Sequence, residues 1–464
     1  MMHVINWDKT GLRKLEKLTA QDFDKKRFKA VSKIIEDVRK FGDNALIKYT
    51  KRFDGIELNR KRLRVREGDI NKAYEQIEVK FVQLLQHAIE NVRNFYRKRP
   101  KKSFRFKARD GVILEENYTP IERIGIYIPG GTAPLVSTVY MSVLPAKMAG
   151  VKEIAIASPP TRNGEIDPHI LVVASLLRVK EIYRVGGPQA IAALAFGTKT
   201  IPKVDKIVGP GNVYVTEAKR QVYGFCDIDM IAGPSEVVVL ADRHADPSYV
   251  VSDLLAQAEH SNSTAILVTS SRRLANEVKK KVDTGYIIIV RSLKEAVKII
   301  NSIAPEHLQI MVKKPSQIKK KIVNAGAIFI GSFTPVAVGD YIAGPSHVLP
   351  TGGTARFYSA LGVEDFIKRS HSISYTREAL EKVKDQIIKL AEIEGLEQHK
   401  DSVEVRFSQS EKTAADSCEK AVSAAKSTAD AKDIKDTKET KDGKEDAPKE
   451  NPKENPDKPE DQRS

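Results

Sequence analysis

Cysteine is almost missing from this 464-residue chain, which has only Cys226 and Cys418. Two thiols cannot make a disulfide framework or a cysteine-only zinc site, so the composition fits a reducing compartment and any metal must use imidazole, carboxylate or amide ligands. No apolar run approaches the ~18 residues of a membrane-spanning helix. The first residues, Met1, Met2 and His3, do not open a basic stretch followed by an apolar one. These absences predict a soluble, cytoplasmic protein with no membrane partner. Aromatic residues make up only 6% of the chain, and no basic patch interleaved with them marks a nucleic-acid surface. Both nucleotide fingerprints are also missing: no Gly-x-Gly-x-x-Gly follows an apolar run with an acid some twenty residues on, and there is no Walker loop.

What is present is uneven. The net charge is +16, but residues 411–464 hold 12 basic and 15 acidic residues, no aromatic and no Leu. Such a segment buries too little apolar surface to offset its ordering entropy, so it is predicted to be disordered. The other 410 residues carry 65 basic against 46 acidic side chains. Many of these bases (Lys25, Lys26, Lys29, Lys33, Arg39, Lys40) lie opposite the apolar stripe of a predicted helix, as a solvated face does. That stripe is Phe28, Val31, Ile34, Ile35, Val38 and Phe41, and a longer helix is predicted around Ala73, Ile77, Phe81, Leu84, Ala88 and Val92.

From about Arg105 short apolar runs alternate with helical segments. The runs are Ile124–Ile128, Ile154–Ala157, Glu181–Val185, Lys206–Val208, Glu236–Leu240, Ala265–Thr269, Tyr286–Val290 and Ala327–Ile330. Alternation of this kind means parallel sheets covered on both faces, and the length suggests two of them. The predicted fold is α/β: two Rossmann-like parallel-sheet units with an N-terminal helical segment, a C-terminal helical extension and a disordered C-terminal tail. The predicted division is 1–104, 105–235, 236–375, 376–410 and 411–464.

Ligands in open α/β sheets bind beyond the carboxyl ends of the strands. Four Gly-Pro turns are expected there: Gly186-Gly187-Pro188-Gln189, Gly209-Pro210-Gly211-Asn212, Gly233-Pro234-Ser235-Glu236 and Gly344-Pro345-Ser346-His347. Ordinary turn chemistry accounts for any one of them. Four together, most ending in a polar or ionisable side chain, point to a site.

Among nine histidines, four have chemical neighbours. Gln257 and His260 fall three apart near the end of a helix that Asp246-Pro247 starts, where both can reach one ion or simply face solvent. Asp340 and His347 flank a Gly-Pro turn, and His399 follows Glu394-Gly395-Leu396-Glu397-Gln398. Gln257, His260, Asp340 and His399 make a nitrogen and oxygen donor set suited to Zn²⁺. Glu306-His307 offers two groups able to exchange protons near neutral pH, provided that an irregular turn at Pro305 lets both face one substrate.

Taken together, these stretches resemble the histidinol dehydrogenase family, from residue 123 (RIGIYIPGGTAPL) through VGGPQAIAALAFGT, VDKIVGPGNVYVTEAKR, IDMIAGPSEVVVLAD, DLLAQAEH, IAPEHLQI, GDYIAGPSHVLPTGG and EGLEQHKDSVEVR. The resemblance runs over roughly residues 20 to 407, more loosely in the first hundred, and the tail has no counterpart in it. It implies a zinc-dependent, NAD-linked four-electron oxidation of L-histidinol through L-histidinal to L-histidine, the last two steps of histidine biosynthesis. It assigns zinc to Gln257, His260, Asp340 and His399, and these four also contact substrate. Further substrate contacts fall on Ser235, His307, His347 and Glu394, and NAD contacts on Tyr127, Gln189 and Asn212. Glu306 and His307 become the catalytic pair. It also implies a homodimer in which Glu394 and His399 complete the neighbouring subunit's site. A paralogue oxidising another alcohol, such as a sulfonated diol, would share the zinc and Glu-His groups. Departures from the family pattern are Ser346, where Asn is usual, and Ala360, where Gly is common.

Overall fold

The computed structural model describes residues 2–5, 24–97, 103–108, 111–130, 134–259 and 263–408. His260 and the predicted disordered segment 411–464 lie outside the described residues. In chain order the strands are β1 (His3–Ile5), β2 (Phe104–Lys107), β3 (Ile113–Pro120), β4 (Arg123–Tyr127), β5 (Glu153–Ser158), β6 (Glu181–Arg184), β7 (Lys206–Val208), β8 (Asp227–Ile228), β9 (Glu236–Ala241), β10 (Thr264–Thr269), β11 (Tyr286–Ile289), β12 (His307–Met311), β13 (Ala327–Ile330) and β14 (Ile367–Ser374).

Two parallel sheets dominate, as the alternating pattern predicts. The first has five strands in the order β6-β5-β4-β7-β8, and the second six in the order β1-β11-β10-β9-β12-β13. A small third sheet, β14-β3-β2, has no forerunner in the apolar runs. Successive residues of a strand feed opposite faces: Val237, Val239 and Ala241 join one core cluster while Val238 and Leu240 join another. The first sheet divides likewise, Ile124 and Ile126 on one side and Ala155 and Ala157 on the other. With both faces covered, these strands are apolar throughout rather than alternating.

The helices follow from the same rule. Val136–Ala149 is buried from Ser137 through Ala146, having apolar or small residues on every side, whereas Lys25–Phe41 buries only Val31, Ile34, Ile35 and Val38. Phe28 and Phe41, expected on that stripe, lie in the first and last turns of the helix and are exposed. The long helix expected around Ala73–Val92 is two helices, Glu67–Glu75 and Val79–Arg97. The break shifts the register, so that Leu85, Ala88, Ile89, Val92 and Tyr96 are buried and Leu84 faces outward. Asp167 and Asp246 cap the helices Pro168–Leu176 and Pro247–Ala258, accepting from the His169 and Ser248 amides at 2.9 and 2.8 Å.

Two strands of the second sheet carried no usable signal. β1 is three residues long and pairs with β11 as an edge. β12 reads His-Leu-Gln-Ile-Met, too polar to stand out, yet it is central and lies between β9 and β13. Gln309 is fully buried there; its amide nitrogen donates to the Thr334 carbonyl at 3.3 Å, and the side chain also hydrogen-bonds Asp253.

The described residues fall into two compact bodies, one within Met1–Phe106 and Leu114–Ile373, the other within Lys107–Ile113 and 374–408. In the second, the helix Lys384–Glu394 stops at Gly395 in the left-handed conformation, φ 69°, and a further helix runs over 397–408.

Candidate active site

Tyr127 ends β4, and the turns after β6 and β7 come to it. The Gly187 amide donates to the Tyr127 hydroxyl at 3.1 Å. Gly209 passes so close to Tyr127 that a Cβ would stand 2.2 Å from its carbonyl oxygen, and its φ of 114° also demands glycine. The Gly209 peptide is held from both ends: its amide donates to Asp229 at 2.7 Å, and its carbonyl accepts from Lys219 Nζ at 3.0 Å. Lys219 and Asp229 form a buried ion pair. Asn212 then caps the helix Val213–Val222 by accepting from the amides of Tyr214 and Val215 at 3.0 and 3.1 Å. Gln189 is fully buried, and both polar atoms of its amide lack a hydrogen-bond partner. Such an orphaned amide is costly unless a ligand satisfies it. Tyr127, Gln189 and Asn212 therefore lie together at the carboxyl edge of the first sheet.

Beside them opens a cavity of about 730 Å³ lined by Asp54, Gly130, Ser158, Pro159, Arg162 and Asn163, among others. Asp54 has a buried carboxylate oxygen without a partner, and burial pushes its carboxyl up to about 6.

The second sheet presents its site at the opposite strand ends. The Gly233 turn lies in the connection from β8 to β9 and leads directly into β9, whereas the Gly344 turn follows the helix Val336–Tyr341 rather than a strand. Ala304, in the left-handed conformation at φ 54°, ends the helix Leu293–Ile303. Glu306 then stands at a bend and His307 is the first residue of β12, an irregular entry of the kind expected at Pro305. Both side chains are buried, with Glu306 Oε2 3.8 Å from His307 Nδ1, and His307 Nε2 3.8 Å from Asp340 Oδ1. Ser235 hydrogen-bonds Glu306. His347 Nδ1 lies 3.1 Å from the Asp340 carbonyl oxygen and its Nε2 3.1 Å from the Thr138 hydroxyl. Ser235, Glu306, His307, Asp340 and His347 thus form one group.

Burial drives the Glu306 carboxyl well above the usual carboxylate range, and the nearby Glu236 charge pushes it further. Burial also raises Glu236, to about 7. Such a carboxyl can hold a proton near neutrality and release it on demand. The buried thiol of Cys226 is pushed up to about 12, chiefly by burial, and is a poor nucleophile.

Among the described residues no group of three or more His, Cys, Asp or Glu side chains is placed to hold a metal ion. His260 is outside them, and Glu394 and His399 are exposed residues of the second body. Gln257 is buried at the end of its helix with its amide nitrogen unpartnered. Turning that amide over would present an oxygen lone pair instead, so Gln257 suits a zinc ligand.

The family model for histidinol dehydrogenase matches residues 18–407. The chain belongs to the histidinol dehydrogenase family. It is 50% identical over 396 residues to the histidinol dehydrogenase of Listeria monocytogenes, covering 81% of this chain and 92% of that relative. Against the histidinol dehydrogenase of Caldanaerobacter subterraneus the identity is 48% over 398 residues, or 82% and 92% of the two chains. Its fold is similar to the crystal structure of histidinol dehydrogenase from Elizabethkingia anophelis, with a TM-score of 0.82 and 37% identity, covering 88% of this chain and 98% of that one.

The protein is thus an oxidoreductase of the histidinol dehydrogenase family. Sequence reasoning passed over Glu236, Thr138 and Asp54. Glu236 was inside a motif already singled out, as the last residue of Gly233-Pro234-Ser235-Glu236. Thr138 and Asp54 carry no local signal, being a hydroxyl residue within a largely apolar helix and the last residue of the helix Asp43–Asp54.

Proposed function

We propose that this protein oxidises L-histidinol to L-histidine through L-histidinal with NAD and zinc, as a cytoplasmic homodimer. The observation that carries the reading is the buried pair Glu306 and His307 with the half-buried Asp340 beside it, bordered by Ser235 and His347. Two proton-transfer groups stand there side by side, one for each oxidation.

Gln257, His260 and Asp340 would hold zinc together with the partner's His399, and Tyr127, Gln189 and Asn212 would hold the dinucleotide. When bound, NAD supplies the hydride acceptor and zinc a fixed positive charge against which the substrate's imidazole and amine are oriented. In the first oxidation His307 Nε2 takes the alcohol's hydroxyl proton. In the second, the Glu306 carboxylate takes a proton from the water that adds to the aldehyde. Ser235, His347 and the partner's Glu394 hold the substrate so that both groups reach the same carbon. Burial of the pair keeps bulk water from the aldehyde between steps. A thiol-based acyl route is disfavoured by the state of Cys226.

Exposure in the second body supports the dimer. Leu390 and Ile393 are 61% and 71% exposed on the helix that ends at Glu394. An apolar pair three residues apart beside a site residue fits burial against a second subunit.

The test measures NADH formation from histidinol and from histidinal in the wild type and in Glu306→Gln. Histidinal oxidation should fall roughly 10²- to 10⁴-fold, the usual value of a general base, with alcohol oxidation much less affected. Equal damage to both steps would overturn the division of labour. NADH formed from a sulfonated diol but not from histidinol would overturn the substrate.

A further inference from the structure

We propose that Glu236 is a positioning residue for the aldehyde-oxidising half of the reaction: its carboxylate, fastened to the Gly352 and Gly353 amides, stands as a second negative charge behind Glu306, while its own amide orients the Glu306 carboxyl. The inference rests on the reading of Glu306 as the base that activates water.

Glu236 is the first residue of β9 and is 1% exposed; Glu306, just before β12, is 6% exposed. β9 and β12 are paired neighbours, so the two acids enter the same end of the sheet on adjacent strands. The Glu236 amide donates to Glu306 Oε2 at 3.1 Å. The Glu236 carboxylate turns the other way and accepts from the Gly352 amide at 3.0 Å and the Gly353 amide at 3.3 Å. The same loop is tied to the Gly233 turn by a hydrogen bond from the Gly233 amide to the Thr351 hydroxyl. Glu236 is therefore the pin between the turn that carries Ser235 and the loop at 351–353.

Two carboxyls buried this close do not both ionise readily. Backbone amides aimed at Glu236 favour its charged form, and Arg356 adds a weaker attraction. Facing Glu306 are Glu236, His307 and Asp340, with Ser235 as a hydrogen-bond partner. The charge thus settles on Glu236 and the proton on Glu306, which makes Glu306 a stronger base once it is ionised. Burying an acid opposite another acid is unfavourable for folding alone. Its use is in the water-activating step.

The experiment is Glu236→Gln in the zinc- and NAD-supplied full chain, with kcat and KM for histidinal and for histidinol followed from about pH 5 to 10. Glutamine keeps the size and can still accept one amide but carries no charge. The acid limb of the kcat profile for histidinal should move down by about one pH unit. Its plateau should fall roughly five- to tenfold as the base weakens, with KM within about twofold and histidinol oxidation changed less. An acid limb that stays put or moves up in a folded variant would overturn the proposal. Should Glu236→Gln not fold, Glu236→Asp keeps the charge on a shorter arm: the limb should stay where it is while the plateau falls, and a limb that drops with the charge retained overturns the proposal equally. Glu306→Gln separates the two readings. If it leaves histidinal oxidation intact, the base assignment itself fails; if it abolishes that step while Glu236→Gln leaves the limb in place, only the role of Glu236 fails.

Discussion

The two parallel sheets are built alike and used from opposite ends. In the five-stranded sheet, Tyr127 closes β4 and the glycine turns follow β6 and β7, so its polar residues gather at the carboxyl edge. In the six-stranded sheet, Glu236 opens β9 and His307 opens β12, with Ser235 and Glu306 just before them, so its ionisable residues gather at the amino edge. The carboxyl edge leads into helix N-termini, which suit an anionic dinucleotide. At the amino edge the approaching chain can bury carboxylates beside strand amides, and such burial raises their proton affinity. The difference teaches that the carboxyl-end rule locates the cleft beside Tyr127 here and misses the buried ionisable groups at the other end.

The comparison can be broken in order of expected effect. His307→Asn should cut histidinol oxidation roughly 10²- to 10⁴-fold with KM for NAD little changed, measured by steady-state NADH production. A large rise in that KM would mean that the two edges are not functionally separate. Next, Lys219→Met leaves Asp229 charged in the core under the Gly209 turn. Removing one partner of a buried pair costs about 3–5 kcal/mol, so denaturant unfolding should show a loss of that size, with the raised KM falling on NAD rather than histidinol.

Acidity separates the edges again. The raised Glu306 value favours the protonated form, and a base must be ionised, so histidinal oxidation should rise with pH along a limb well above the ordinary carboxylate range. A limb near pH 4 to 5 would be an ordinary exposed glutamate. Gln189→Ala should raise KM for NAD roughly tenfold without moving that limb, because its buried amide belongs to the carboxyl edge. Smallest of all, Cys226→Ser should keep kcat within about twofold, costing only ~1–3 kcal/mol of stability for a buried hydroxyl. A loss beyond a hundredfold in a folded protein would restore a thiol route.

Much of this architecture was legible beforehand, for reasons particular to each segment. Runs such as Val237-Val238-Val239-Leu240 are apolar at every position because both faces of the sheet are covered. Asp246-Pro247 announced a helix start because capping is a local interaction. β12 was not legible, since Gln309 sits in its middle and finds its partners in Asp253 and Thr334, which lie on other segments. Leu84, expected on the buried stripe, faces outward because a three-residue break shifted the helical register. At the site, Glu306-His307 could be picked out as an acid and base pair, whereas Glu236 could not, because its importance comes from a partner strand and a loop more than a hundred residues away.

By itself the sequence determined the alternating α/β architecture, the shortage of thiols that directs any metal to amide, imidazole and carboxylate ligands, and the glycine turns that let backbone approach a ligand. These depend on composition and on neighbours a few residues apart. The tertiary structure alone decided which ends of the two sheets hold the ionisable groups, that Asp340 reaches His307 and that Glu236 stands behind Glu306. Desolvation and pairing between distant segments set the proton affinities there, and both exist only once the strands have taken their places.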